Sequence, residues 1–301
     1  MSVPSTTAPP RAGRPGLAWA IPGVLFFVFF AGFPMLLVAY LSFTDWNGLG
    51  SPVWTGTENW SRLWNDPTMR QAIWLSVLLT GLTWLVQTPI ALLLGVWSAG
   101  RQRNRAVLSA IFFLPLLASS VALALIWRTL LNPNLGVAAD VANWFNLDNA
   151  DVLGSPRGAF IAIVFVAAWQ FIPFHTLLYQ GGARQVPASL YDAASIDGAG
   201  TVRQFFAVTL PQLRNTIITS SVLMVVGALT FFDTVLILTG GGPGHATTIV
   251  PYYMYETGFQ AFDLGYASAV AATLVIVATT VSLLMVRLTG FTKMRSTREG
   301  M

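Results

Sequence analysis

Apolar and polar residues alternate in long blocks rather than at the short period of a soluble fold. Six apolar stretches can be read, roughly 17 to 44, 72 to 98, 106 to 130, 158 to 181, 215 to 239 and 264 to 288. Each is long enough for the ~20 residues that a helix needs to cross the hydrocarbon core. Strands of a membrane barrel would be shorter and strictly alternating, and these are not. The pattern predicts an all-α, polytopic integral membrane protein with six transmembrane helices.

One polar segment differs from the other connections. Residues Gln185 to Pro211, between the fourth and fifth stretches, are amphipathic and rich in alanine and glycine. The spacing predicts two short helices. Pro187 suits a first helical turn, and Ser189 with Asp192 has the interval at which a hydroxyl and a carboxylate satisfy the free amides of a helix start. Gly198 ends that helix as a left-handed cap. Thr201 with Gln204 repeats the capping interval and opens the second helix, which Pro211 closes. Ala193, Ala194, Gly198, Ala199 and Gly200 leave little side chain on this elbow, so another backbone or a groove wall can approach closely. The segment reads as a docking surface for another protein, or as a hairpin lying on lipid.

Composition supports the membrane reading. Mean hydropathy is +0.64, with 54% hydrophobic and 9% charged residues over 301 positions, outside the soluble globular range. Basic residues then set orientation. With the N-terminus inside, Arg11, Arg14, Arg101, Arg103, Arg105, Arg184, Arg203, Arg214, Arg287, Lys293, Arg295 and Arg298 share one side, leaving Arg62, Arg70, Arg128 and Arg157 for the other. The positive-inside rule places both termini and the elbow in the cytoplasm. The sequence pI of 9.8 reflects these short clusters, which suit anionic lipid heads and form no basic stripe for nucleic acid. The first apolar stretch exceeds a signal-peptide core and reads as an uncleaved span. Residues 1–16, rich in Pro, Ser and Thr, read as a disordered cytoplasmic tail.

Candidate chemistry is sparse. Lys293 is the only lysine and lies in no phosphate-binding loop, so any ATPase must be another chain. Cysteine is absent, and His175 and His245 stand far apart without clustered carboxylates, which argues against a metal site or a hydrolase. Few ionisable residues fall inside the spans, chiefly Asp233 and His175, which weakens the case for an ion-coupled carrier. The three outward connections, 45 to 71, 131 to 157 and 240 to 263, carry Asp45, Glu58, Asp66, Asp140, Asp148, Asp151, Glu256 and Asp263. These acids could meet a polar partner or simply face solvent. Trp46, Trp54, Trp60 and Trp64 crowd the first of them, as interfacial anchors or as ligand contacts.

A sugar site needs flat aromatic faces together with amide, hydroxyl or carboxylate groups. The fourth stretch offers Trp169, Gln170, Phe174, His175 and Tyr179, with Pro173 as an expected kink. Gln170 with Phe174, and Phe171 with His175, have i,i+4 spacing on a helix. The fifth offers Thr230, Phe231, Asp233 and Thr234. Each of these positions also admits a plain packing role between helices.

Asp192-Ala193-Ala194, Asp197-Gly198-Ala199, Phe205, Val208, Leu210 and Pro211 resemble the EAA signature of the membrane subunits of bacterial ABC importers. Asp192 stands where that family usually has Glu, and Val208 where it often has Ile. The stretch from Phe232 to Gly244, followed by Thr247, Thr248, Tyr252, Tyr253 and Tyr255, is similar to the fifth span and following loop of the maltose-type carbohydrate importers. Pro34, the run from Tyr40 to Trp46, Gly56, Asn59-Trp60 and Asp66-Pro67 resemble the first of the two unlike permeases in that group. The resemblance implies a coupling loop, 185–211, seated in a cytoplasmic ATPase through Tyr191, Asp192, Ala193, Ala194, Asp197, Gly198, Ala199, Phe205, Leu210 and Pro211. It implies a transmembrane domain over 72–289, preceded by a first span and outer loop (17–71) and followed by a cytoplasmic tail (290–301). The implied partners are a second, similar permease, two ATPase subunits that carry the ATP and magnesium, and an extracytoplasmic sugar-binding protein touching Gly240, Gly241, Gly242 and Pro243. The implied activity is carbohydrate import with no cofactor in this chain. Import of glycerol phosphate, a polyamine or an amino acid shares the coupling signature, and a paucity of basic groups in the spans favours a neutral solute.

Overall fold

The computed structural model describes residues 17–100, 112–134, 136–137 and 151–288. The two tails, the Arg101 to Arg105 cluster, the beginning of the third apolar stretch, and Asp140 with Asp148 lie outside the described residues.

Among the described residues, four helices are long and apolar enough to cross a membrane: α1 (Ile21–Leu41), α3 (Pro67–Ser98), α6 (Pro156–Ala183) and α12 (Leu264–Leu288). They fall on four of the six expected spans. The third stretch is interrupted: α4 (Leu114–Leu117) and α5 (Ser120–Leu130) are separated by extended backbone at Ala118 and Ser119. The fifth is bent and broken. Helix α8 (Thr201–Gln212) meets α9 (Arg214–Leu229) at 68°, and residues 230–232 separate α9 from α10 (Asp233–Leu238). A fifth crossing exists only if the bent pair counts as one span.

Local chemistry starts the long helices. Asp66 accepts from the amides of Thr68 (2.8 Å) and Met69 (3.3 Å) and so caps α3, with Pro67 in the first turn. Ser155 does the same for α6, accepting from Gly158 N–H at 3.1 Å ahead of Pro156. Helix α6 runs through Pro173 without interruption, so the expected kink does not divide it.

The α3–α6 pair is the most extensive helix packing, and α9 lies against α3. Gly95 makes the close approach possible, since a Cβ there would stand 2.6 Å from Tyr179 Cβ and 2.9 Å from the Thr176 carbonyl oxygen. Leu79, Ile163, Val166 and Val235 fill one buried cluster, and Ala91, Ile172, Tyr179 and Leu213 another. Helix α1 is different. It packs its second half on α12 but leaves Phe26, Phe27, Phe29, Phe30 and Phe33 exposed, as a helix facing lipid or another membrane chain does.

The polar connections at the end remote from the elbow contain structure of their own. A short antiparallel pair, β1 (Thr44–Asp45) and β2 (Val53–Trp54), precedes α2 (Glu58–Asn65). Asn59 Nδ2 donates to the carbonyls of Ser42 (3.2 Å) and Thr44 (2.8 Å), and the amides of Leu264 and Gly265 bond Trp46 O. Helix α11 (Val250–Tyr255) stands after the glycine-rich loop and continues as a π-turn, Glu256–Gln260.

Candidate functional site

Two features separate from the packed framework: the elbow at one end, and a cavity among α3, α6 and α9.

The elbow forms two helices, with different starts from those the spacing suggests. Pro187, with ψ 133°, stands just before α7 (Ala188–Ile196) rather than inside its first turn, and no side chain caps it. Ser189 therefore sits one residue into the helix, where its hydroxyl cannot reach the free amides. At the far end Gly198 has φ +74°, its amide bonds Ser195 O at 3.0 Å, and the Ala199 amide bonds Ala194 O at 2.9 Å. This is the paired 5→2 and 6→1 termination that a left-handed glycine permits. The second helix starts after Gly200, also without a side-chain cap. Gln204 turns back instead, donating to Ser195 Oγ and to Ala199 O, each at 2.9 Å. Pro211 does not close the helix; α8 runs to Gln212 through a π-turn at Phe205–Thr209, and the break falls at Leu213.

Asp192, Ala193 and Ala194 lie on the short helix α7, and Asp197, Gly198 and Ala199 form its capped end. Tyr191 points inward, its hydroxyl 3.0 Å from Thr209 Oγ1. Phe205 and Leu210 face the interior and pack on the cluster around Leu213. Side chains not named from the sequence dominate the outer face: Ile196 is 87% exposed and Val202 72%, with Phe206 beside them. Large apolar groups this exposed mark a surface that meets something. Their position on either side of a glycine turn was the available signal.

The cavity has a volume of about 280 Å³. Phe171, Phe174 and His175 of α6, Phe231 of the 230–232 break, and Thr83 and Gln87 of α3 line it, with Leu223 and Met224 of α9. His175 is held by Ser220, Nδ1 lying 2.9 Å from its Oγ. Among the described residues, no Asp, Glu, Lys or Arg lines this cavity.

The other expected pathway residues lie elsewhere. Gln170 is buried and donates to Ser120 Oγ at 2.9 Å; it is not among the residues that line the cavity with Phe174. Trp169 packs edge-on against Trp127, and Tyr179 is buried against Gly95. Thr230 returns its hydroxyl to the carbonyls of Val226 and Gly227. Asp233 is exposed in the first turn of α10, and Thr234 is buried beside it. Thr83 and Gln87 were not foreseen; they fall within an apolar run, and the burial of that face depends on where α6 packs.

At the opposite end from the elbow the glycine-rich loop is tightly bound to itself. Gly240 and Gly241 adopt φ +57° and +76°, and a cis peptide joins Gly242 to Pro243. Tyr252 donates to Gly240 O at 2.8 Å, and Thr247 Oγ1 lies 2.8 Å from both Gly242 O and Thr239 Oγ1. A Cβ on Gly241 would stand 2.4 Å from the Tyr252 ring, so this position accepts only glycine.

Beside this loop Asp66 receives hydrogen bonds from the hydroxyls of Tyr253 and Tyr266, the latter at 2.7 Å. Arg62 pairs with Asp263 at 2.6 Å and lies over the Tyr266 ring. Burial by itself would raise the Asp66 carboxyl, but the two phenols and the Met69 and Thr68 amides outweigh it and hold it below its ordinary value. The Tyr253 phenol is pushed up to about 12, by burial first and then by the Asp66 carboxylate.

Comparison with known proteins agrees with this architecture. The profile of the family described as "Binding-protein-dependent transport system inner membrane component" matches residues 87–291. The multiple sugar-binding transport system permease protein MsmF of Streptococcus mutans is 31% identical over 269 residues, covering 89% of this chain and 92% of that protein. The diacetylchitobiose uptake system permease protein NgcF of Streptomyces coelicolor is 29% identical over 281 residues, covering 88% and 80%. Among solved structures, a chain of a bacterial ABC transporter involved in import of the acidic polysaccharide alginate superposes with a TM-score of 0.80 at 23% identity, over 90% of this chain and 93% of that one.

Proposed function

We propose, from the premise that this chain belongs to the family of binding-protein-dependent transport system inner membrane components, that it is a permease subunit of an ATP-driven carbohydrate importer. The observation that carries the sugar assignment is the cavity. Three aromatic rings, Phe171, Phe174 and Phe231, face the same space as the amide of Gln87, the hydroxyl of Thr83 and the imidazole of His175. Aromatic faces suit the C–H surface of a pyranose, and the polar groups suit its hydroxyls. With no Asp, Glu, Lys or Arg among the described residues on its walls, the cavity fits a neutral sugar better than a phosphorylated one. Relatives named for multiple sugars and for diacetylchitobiose support the same class.

The chain crosses the cytoplasmic membrane of a prokaryote six times in this reading, the interrupted third and fifth stretches each counting as a crossing. Both termini and the elbow face the cytoplasm, where basic residues concentrate. A second, similar permease completes the pathway. Two ATPase subunits, which carry ATP and magnesium, receive the elbow through the exposed side chains around Gly198. An extracytoplasmic binding protein delivers the sugar to the glycine-loop end; a related alginate transporter has been crystallised with a loaded periplasmic protein. ATP binding closes the ATPase pair, the elbow follows, and the helices rock about the cavity. Hydrolysis resets them, and this chain performs no covalent chemistry.

Purification from the native membrane in mild detergent tests the reading. Recovery of a second permease and an ATPase, with sugar uptake in liposomes that requires ATP, is the expected result. Uptake by the isolated chain would instead indicate an ion-coupled carrier, and ATP-driven uptake of a phosphate ester, polyamine or amino acid would replace the sugar assignment.

A further inference from the structure

The resemblance to the EAA signature put Tyr191 among the residues that touch the ATPase. Its hydroxyl is engaged within the chain. The phenol turns away from the exposed face of α7 and meets Thr209 Oγ1 at 3.0 Å, and Thr209 is only 2% exposed. A second tie spans the same gap, Gln204 Nε2 donating to Ser195 Oγ and Ala199 O. The two short helices are thus joined at three places: by the Gly198 turn, by Gln204, and by the Tyr191–Thr209 pair. The Gln204 bonds brace the turn itself, and the Tyr191–Thr209 pair joins the two short helices away from it.

A bend follows further on. Helices α8 and α9 meet at 68° at Leu213, which is 1% exposed and has ψ 0°. Gly182 of α6 provides its socket: a Cβ there would stand 2.8 Å from Leu213 Cδ2 and 2.7 Å from Thr216 Oγ1. Pro211, two residues before the bend, has no amide hydrogen to give to the preceding turn, while the Leu213 amide still bonds Thr209 O at 3.0 Å. The π-turn at Phe205–Thr209, a feature common where helices do work, ends at the residue that Tyr191 holds.

We propose that Tyr191 and Gln204 are positioning residues that lock α7 onto α8, so that the elbow turns as one rigid arm about Leu213 and delivers its motion to α9 and the cavity. The inference rests on the ATP-driven reading above. Tyr191 acts within the chain, and Ile196, Val202 and Phe206 face the partner. Without the hydroxyl tie, less of the motion of α7 reaches α9.

The absence of cysteine gives a clean test in the complete complex, purified from native membranes into lipid nanodiscs. A single thiol at the break, Thr230→Cys, is labelled with a maleimide in nucleotide-free and in ATP–vanadate states. The expected result is a labelling rate that changes between the two states in the Thr230→Cys background. Adding Tyr191→Phe should cut that change by about five-fold, the weight of one hydrogen bond, while the ATPase stays bound and continues to hydrolyse ATP. Thr209→Val should do the same, and the double variant should be no worse than either single one, because one interaction is lost in all three. Gln204→Leu should act alike, and exposed Ser189→Ala should not. An undiminished nucleotide response in Tyr191→Phe, or additive effects of Tyr191→Phe and Thr209→Val, overturns the rigid-arm proposal and leaves the docking reading intact. Absence of any ATPase from the complex, or of any nucleotide response in the background, overturns both.

Discussion

Asp66 shows how much one side chain can organise here. Its carboxylate caps α3 and accepts from Tyr253 and Tyr266, tying together the starts of α3 and α12 and the helix α11. The sign of the pH dependence follows from the two shifts. A carboxyl held below its ordinary value of 3.8 contributes stability that is fully present above that value and is lost as pH falls through the lowered one. A phenol raised from 10.0 to about 12 contributes stability that is complete below 10.0 and lost as pH rises through about 12. Tyr253→Phe is expected to lower stability by about 1–2 kcal/mol near neutral pH, read as a lower melting temperature in detergent. That deficit should shrink in acid once Asp66 takes up a proton, and an acid-independent deficit would contradict the assignment. Gly95 makes a second case. Gly95→Leu should cost about 1–3 kcal/mol by forcing α3 away from Tyr179 and the α6 backbone, and the same melting measurement reports it.

At the scale of elements, the Gly198 turn separates folding from docking. A Cβ at Gly198 would meet nothing within 4 Å, so no described residue of this chain crowds the turn. Gly198→Trp should therefore cost only about 1–2 kcal/mol of left-handed strain and leave membrane insertion intact. It should also abolish stimulated ATP hydrolysis in the assembled complex; normal stimulation and uptake would remove the docking reading. The turn, the two short helices and the four long spans were legible in the sequence because glycine geometry and apolar length are local properties. The breaks were not. Nothing in Thr230-Phe231-Phe232 punctuates a helix, and Thr230 ends α9 by hydrogen-bonding back to Val226 and Gly227, a competition that any helical threonine can enter. The cavity was half legible. Phe171 and His175 share a face by spacing, but Gln170 is drawn to Ser120 and Thr83 with Gln87 come from α3, and those depend on which helices pack.

Considered as a whole, the chain is polarised along its helices. The elbow presents Ile196 and Val202 at one end, and the β-pair, α2 and the glycine loop stand at the other. In the proposed orientation the elbow lies in the cytoplasm, and single thiols check this directly. Ile196→Cys should react with an impermeant maleimide only after the cytoplasmic side is opened, and Ser51→Cys in intact cells or spheroplasts; the reverse pattern would invert the topology. The clamp at the glycine-loop end also has a history in time. Asp66 and Tyr266 are 200 residues apart, and Arg62 and Asp263 are 201 apart. At a synthesis rate of about 5–20 residues per second, Asp66 leaves the ribosome roughly 10–40 s before its last partner exists. During that interval Asp66 lacks the Tyr266 hydroxyl and Arg62 lacks the Asp263 carboxylate. The arrival of Asp263 and Tyr266 completes the clamp, so this end of the chain is fastened only after the start of α12 has been made.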